Sequence, residues 1–213
     1  VKVGVVVPLD EAGRPIREDR WYVARRTEAA PFRMWLRDEA LSRGVRRKDT
    51  VAVVTDGAHW LRALRTRHFD WAVGVCDFYH AVEHLGVLGA ALHGEGSPDA
   101  LAWQAEMAHR LKHEGAVAVV EEWKGARYQH PKDAERWRKD KAYFTGQLDA
   151  MDYPGVRAAR LPIGSGSAEG GCRSVIGMRF KTPGARWSEE GFDNLLALRV
   201  LFCNRMPIGR QPP

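Results

Sequence analysis

Apolar and polar positions alternate at the front of the chain and give way to helical spacing further on. Val1 to Leu9 predicts a strand, Asp10 to Pro15 collects turn residues around Gly13, and Ile16 to Arg25 alternates well enough to be the partner strand of a hairpin. Phe32, Trp35, Leu36 and Leu41, set among charges, predict an amphipathic helix over 31–42 entered by Pro31. The β-branched run 50–55 reads as a buried strand. Residues 59–67 read as a helix with Trp60, Leu61 and Leu64 inward, and 69–75 as a further strand.

From Asp77 the pattern stays helical, with breaks at 94–98, Gly115, Gly125 and 153–155, and about 86–160 holds no convincing strand. Segments such as 121–124 and 134–139 suggest amphipathic helices whose polar faces stay wet. Ser167 to Arg179 and Ser188 to Asn204 predict two last helices, the second capped by Ser188 with Glu189 and Glu190 in its first turn. Phe192, Leu195, Leu196, Leu198 and Phe202 on that helix are expected to pack under the sheet, and Pro207 to Pro213 reads as a frayed tail. This order belongs to an α/β domain carrying an α-helical insertion.

Composition narrows the class. With 45% apolar residues in 213, the chain suits a packed core rather than disorder. The 33 basic against 27 acidic residues give +6, compatible with a polyanionic partner without requiring one. Cys76, Cys172 and Cys203 form no C-x-x-C pair, which argues against a disulfide framework or thiolate zinc site and fits a reducing cytosol. No apolar run approaches the roughly 20 residues that span a bilayer, and the first residues lack signal-peptide order, so a soluble intracellular protein with no membrane partner is expected. The chain opens at Val1 inside an apolar run, from which loss of upstream sequence is expected.

Several residues invite chemistry. Asp56 follows a predicted strand and precedes Gly57; it reads either as a metal ligand at the strand's C-terminal edge or as the cap of a helix starting near Ala58. Glu169 follows Gly164-Ser-Gly166 in the first turn of a helix capped by Ser165 or Ser167. There it is either a functional acid or a residue that only favours the helix dipole, by roughly 0.3–1 kcal/mol. His80-Ala-Val-Glu83-His84 is an H-x-x-E-H string that on one helical face would bind Zn²⁺ with Glu83 as general base, although no third ligand is evident. Arg110, Lys112, Lys124, Arg127, Arg136, Arg138, Lys139 and Lys141 accompany Trp123 and Trp137. The tryptophans read as core and the charges as a solvated face in preference to a nucleic-acid surface.

Three strings point further: Val53-Val-Thr-Asp-Gly-Ala-His-Trp60, Cys76-Asp-Phe-Tyr-His-Ala-Val-Glu-His-Leu85, and Leu161-Pro-Ile-Gly-Ser-Gly-Ser-Ala-Glu-Gly-Gly-Cys-Arg173 running through Met178-Arg-Phe-Lys181 to Arg186-Trp-Ser188. Together they resemble the later part of an insertion-sequence DDE transposase, most closely the ISKra-type group, over nearly the whole chain. The resemblance implies an RNase H-like catalytic core with an α-helical insertion. In such a core the first aspartate lies on the first, central strand, the second follows the fourth strand, and a glutamate lies on a late helix. Asp56 matches the second acid and Glu169 the third, as ligands of Mg²⁺ or Mn²⁺ in a two-metal site. Asp77 and His80 match accessory positions, and Arg173, Arg179 and Lys181 are implied DNA contacts.

On this alignment Val1 to Leu9 is the second strand, the first strand and its aspartate lie upstream, and Asp10, in the hairpin turn, is no substitute. The implied organisation is 1–85 for strands two to five of the core, 86–160 for the insertion, 161–205 for the catalytic-helix region and 206–213 for the tail. The parent would cleave DNA and transfer strands at transposon ends, and this chain would be inactive alone. The alternative is a remnant that binds DNA or joins full-length transposase without catalysis.

Overall fold

Short β-branched runs alternate with long helical stretches, and the result is a mixed α/β chain whose residues are mainly helical. The computed structural model describes residues 1–205; the tail expected over 206–213 lies outside the described residues. In chain order the elements are β1 (Lys2–Val6), β2 (Trp21–Arg25), α1 (Ala29–Ser42), β3 (Ala52–Thr55), α2 (His59–His68), β4 (Val73–Cys76), α3 (Phe78–His93), α4 (Pro98–Glu114), α5 (Ala116–Glu122), α6 (Ala134–Thr145), α7 (Tyr153–Ala158), α8 (Gly166–Gly171), α9 (Met178–Phe180) and α10 (Glu189–Cys203). A π-helical turn, Cys172–Gly177, joins α8 to α9. The strands form two separate two-stranded sheets. The described residues divide into two compact units: Val1–Asp49, Thr66–Asp70 and 165–205 make one, and Thr50–Arg65 with Trp71–Gly164 make the other.

In the first unit β1 and β2 pair antiparallel from Lys2↔Arg25 to Val6↔Trp21. Tyr22 and Ala24, two residues apart and so on one face of β2, are buried with Val175 and Leu196; Val3, Val5, Ile176, Phe192 and Val200 close around them. Tyr22 also meets a side chain where a neighbouring strand would be. Asn204 Oδ1 accepts from its N–H at 2.8 Å and Asn204 Nδ2 donates to its carbonyl at 2.9 Å, satisfying backbone groups that burial would otherwise leave unpaired. Gly171 ends α8 against the same residue: a Cβ there would lie 2.7 Å from the Tyr22 ring, so only glycine lets α8 sit this close.

Three expectations are corrected here. The strand expected over 16–25 begins only at Trp21, because Arg17–Asp19 forms a 3-10 turn whose polar residues bury nothing. The strand expected over 69–75 is Val73–Cys76, since residues 70–72 turn before it. On α10 Leu196 is buried, but Leu198 is 49% and Phe202 73% exposed. Residues 196 and 198 point about 200° apart around a helix and cannot share one face.

In the second unit β3 and β4 pair parallel, from Ala52↔Val73 to Thr55↔Cys76, with α2 in the connection that parallel neighbours require. Leu85, Leu88, Leu111, Val119, Phe144, Met151 and Tyr153 form its fully buried interior. Trp123 at 1% and Trp137 at 6% exposure belong to that interior, so they are core and not stacking platforms. Gly89 permits the close approach of α3 to α4, where a Cβ would stand 3.0 Å from the Ala100 carbonyl. No helix among the described residues is long and apolar enough to cross a membrane.

Candidate active site

Parallel pairing in register brings two acids to one edge. Thr55 and Cys76 are opposite one another at the strand ends, so Asp56 and Asp77 both leave the C-terminal edge of the β3/β4 pair, and the Asp77 N–H donates to the Thr55 carbonyl at 2.7 Å. Their environments differ. Asp56 is exposed; its Oδ1 accepts from the Ala58 N–H at 2.9 Å in a turn that Gly57 completes with φ of 88°. Asp77 is 1% exposed, and its Oδ1 accepts from the N–H groups of Tyr79 at 2.7 Å and His80 at 3.0 Å, which caps α3.

Around these acids stands a polar cluster built by α3 and α6. The Tyr143 hydroxyl donates to the Asp56 carbonyl at 3.3 Å and lies 2.9 Å from Cys76 Sγ, while the Tyr153 hydroxyl donates to the Cys76 carbonyl at 3.0 Å. Burial pushes the Cys76 thiol up to about 11; the Tyr143 hydroxyl opposes this, and the charges of Asp77 and Asp56 add to it. The phenols of Tyr143 and Tyr153 are likewise held above their ordinary value, first by burial and then by Cys76.

His84 stacks on Tyr143 with ring centroids 3.7 Å apart, and its Nδ1 bonds to Asp140 Oδ1. His80 sits 4.9 Å from His84, centroid to centroid, with its Nδ1 3.1 Å from Glu83 Oε2. Glu83 of the H-x-x-E-H string is thus engaged by His80. A catalytic zinc takes three protein ligands, and among the described residues no group of three His, Cys, Asp or Glu side chains is placed to hold a metal.

Glu169 is in the other unit, exposed in the first turn of α8. The Ser165 carbonyl accepts from the N–H groups of Ala168 and Glu169 at 2.7 and 3.0 Å, and the Ser165 hydroxyl donates to Glu169 Oε1 at 3.3 Å. The helix expected over 167–179 is interrupted by the π turn, where the Arg199 guanidinium donates to the Ser174 carbonyl. Arg173, Arg179 and Lys181 are exposed. The Cys172 thiol is raised chiefly by burial, with the charge of Lys181 opposing and that of Glu169 adding.

The second unit therefore holds Asp56, Asp77 and His80, and the first holds Glu169, Arg173, Arg179 and Lys181. Sequence reasoning missed Tyr143 and Asp140. A signal for Asp140 existed: it falls between Trp137 and Phe144 on the buried register of α6, where a carboxylate needs a partner. Nothing local marks Tyr143. Comparison of the chain with protein-family models, with curated proteins and with solved structures found no match.

Proposed function

We propose that these residues are the later part of an RNase H-like core of the ISKra-type DDE transposase class, whose activity is metal-assisted cleavage and joining of DNA at transposon ends. In this reading Asp56 and Glu169 are two of three carboxylates that hold Mg²⁺ or Mn²⁺, hard cations that take oxygen ligands and activate the attacking hydroxyl or water. Asp77 caps α3 beside Asp56, and His80 is accessory to it. Arg173, Arg179 and Lys181 neutralise DNA phosphates near Glu169.

The observation that carries the reading is the pairing of the strands. In the RNase H-like core that the resemblance implies, strands two and three form a hairpin and strands four and five are joined through a helix. Hairpins are antiparallel and helix-connected neighbours parallel. β1/β2 and β3/β4 have those pairings in that chain order, and Asp56 immediately follows the strand that corresponds to the fourth. On this reading Asp56 and Glu169 take the second and third acid positions, and Asp10, whose carboxylate accepts from the Ala12 and Arg14 N–H groups in the hairpin turn, does not take the first. With two of the three acids, residues 1–213 are expected to bind DNA and leave it uncut. The working place of such a protein is the bacterial cytoplasm, on the nucleoid.

A second reading, with which the net charge of +6 is compatible, is DNA binding, or association with full-length transposase, as the whole function. The purified chain is expected to bind duplex DNA with an affinity that falls steeply with salt, and to leave it uncut in Mg²⁺ or Mn²⁺. Cleavage abolished by Glu169→Gln would overturn the missing-acid account, and a folded chain with no DNA affinity would overturn the first reading and leave only association with full-length transposase. Cleavage once a strand carrying the first acid is supplied, lost in Asp56→Asn, separates the first reading from the second.

A further inference from the structure

His80 and His84 lie one turn apart on α3, which puts both imidazoles on one face of the helix, 4.9 Å between ring centroids. Each ring presents Nδ1 to a carboxylate: His80 to Glu83 at 3.1 Å, and His84 to the buried Asp140. A neutral imidazole that donates Nδ1–H carries its lone pair on Nε2. A carboxylate behind the ring is also the arrangement that orients metal-binding histidines. His84 is fixed further by its stack on Tyr143. The two side chains remain 41% and 25% exposed, so a hydrated cation can reach them.

We propose that His80 and His84 bind one divalent transition-metal cation through their Nε2 atoms, with water filling its remaining positions. Imidazole nitrogen selects Zn²⁺, Co²⁺, Ni²⁺ or Cu²⁺ over the hard cations Mg²⁺ and Ca²⁺. The site uses neither Asp56 nor Glu169 and holds independently of the transposase reading. With two protein ligands it is a binding site and not the three-ligand centre of a zinc hydrolase.

The molecule carries its own comparison. His109 and His113 on α4 are also one turn apart, with ring centroids 4.5 Å apart, but neither ring has a carboxylate hydrogen bond among the described residues. The test is Ni²⁺ calorimetry on the tag-free chain, with circular dichroism confirming that each variant is folded. The tighter site is expected to weaken at least tenfold in His80→Ala and in His84→Ala, by about ten- to a hundredfold in Asp140→Asn, and not at all in His109→Ala. Glu83→Gln, a change at an exposed side chain that leaves the core untouched, should also weaken it. Ni²⁺ binding that survives His80→Ala, that is lost in His109→Ala, or that a folded chain lacks altogether overturns the proposal.

Discussion

Tyr143 on α6 donates its hydroxyl hydrogen bond to the main-chain carbonyl of Asp56 across 3.3 Å, tying the helical stretch to the turn that carries the acid. The same oxygen lies 2.9 Å from Cys76 Sγ, so one phenol touches the ends of both parallel strands. Tyr143→Phe keeps the ring and removes both contacts. A loss of about 1–2 kcal/mol is expected from urea unfolding, with faster amide exchange at Gly57 and Ala58 than in the rest of the unit. Unchanged exchange at those two amides would show that the hydroxyl does not hold the turn.

Alkaline pH should loosen the second unit. The Cys76 thiol titrates near 9.0 in an unfolded chain and is pushed up to about 11 by burial. The folded state therefore keeps a proton that the unfolded state releases. The stability this gives, roughly 2–3 kcal/mol, is fully present below about pH 9 and lost as pH rises towards 11. The raised phenols of Tyr143 and Tyr153 act in the same direction at higher pH. The urea midpoint should be level up to about pH 8.5 and fall beyond it, with a shallower fall in Cys76→Ala. A midpoint that rises between those limits would contradict the burial of the thiol.

Asp77 separates capping from charge. Asn accepts the same backbone hydrogen bonds from Tyr79 and His80, so Asp77→Asn should unfold within about 0.5 kcal/mol of the parent, whereas Asp77→Ala should cost about 1–2 kcal/mol. Equal losses in the two variants, measured by thermal or urea unfolding, would mean that the carboxylate's charge and not its cap holds α3.

Adjacent glycines in α8 should respond with opposite sign. Gly171→Ala drives a methyl to within 2.7 Å of the Tyr22 ring, while a Cβ at Gly170 meets nothing within 4 Å. Gly171→Ala is expected to destabilise by about 1–3 kcal/mol, and Gly170→Ala to stabilise by about 0.5–1 kcal/mol through a better helix residue. Matching changes in the two unfolding midpoints would refute the close approach of α8 to β2.

Local physics was legible in the chain and long-range physics was not. The valine run gave β1, the β-branched run gave β3, and the serine before two glutamates marked the start of α10, where Ser188 Oγ accepts from the Gly191 N–H at 3.1 Å. The polar run 17–19 was misread because alternation does not report whether a partner strand extends that far. The π turn after Glu169 was invisible because helical periodicity does not register a locally widened turn. Asp56 could be placed after a strand from its neighbours alone. Its contact with Tyr143, 87 residues on, depends on how α6 packs against α3 and leaves no trace in either local pattern.

Whether the stretch after Glu169 is a DNA-binding surface is tested most directly by duplex-DNA binding of the folded chain across a salt series, beside Arg173→Ala, Arg179→Ala and Lys181→Ala. The account predicts binding that falls steeply with salt and weakens in each variant while circular dichroism stays unchanged. Binding unaffected by all three substitutions, or none by the folded parent chain, would contradict it.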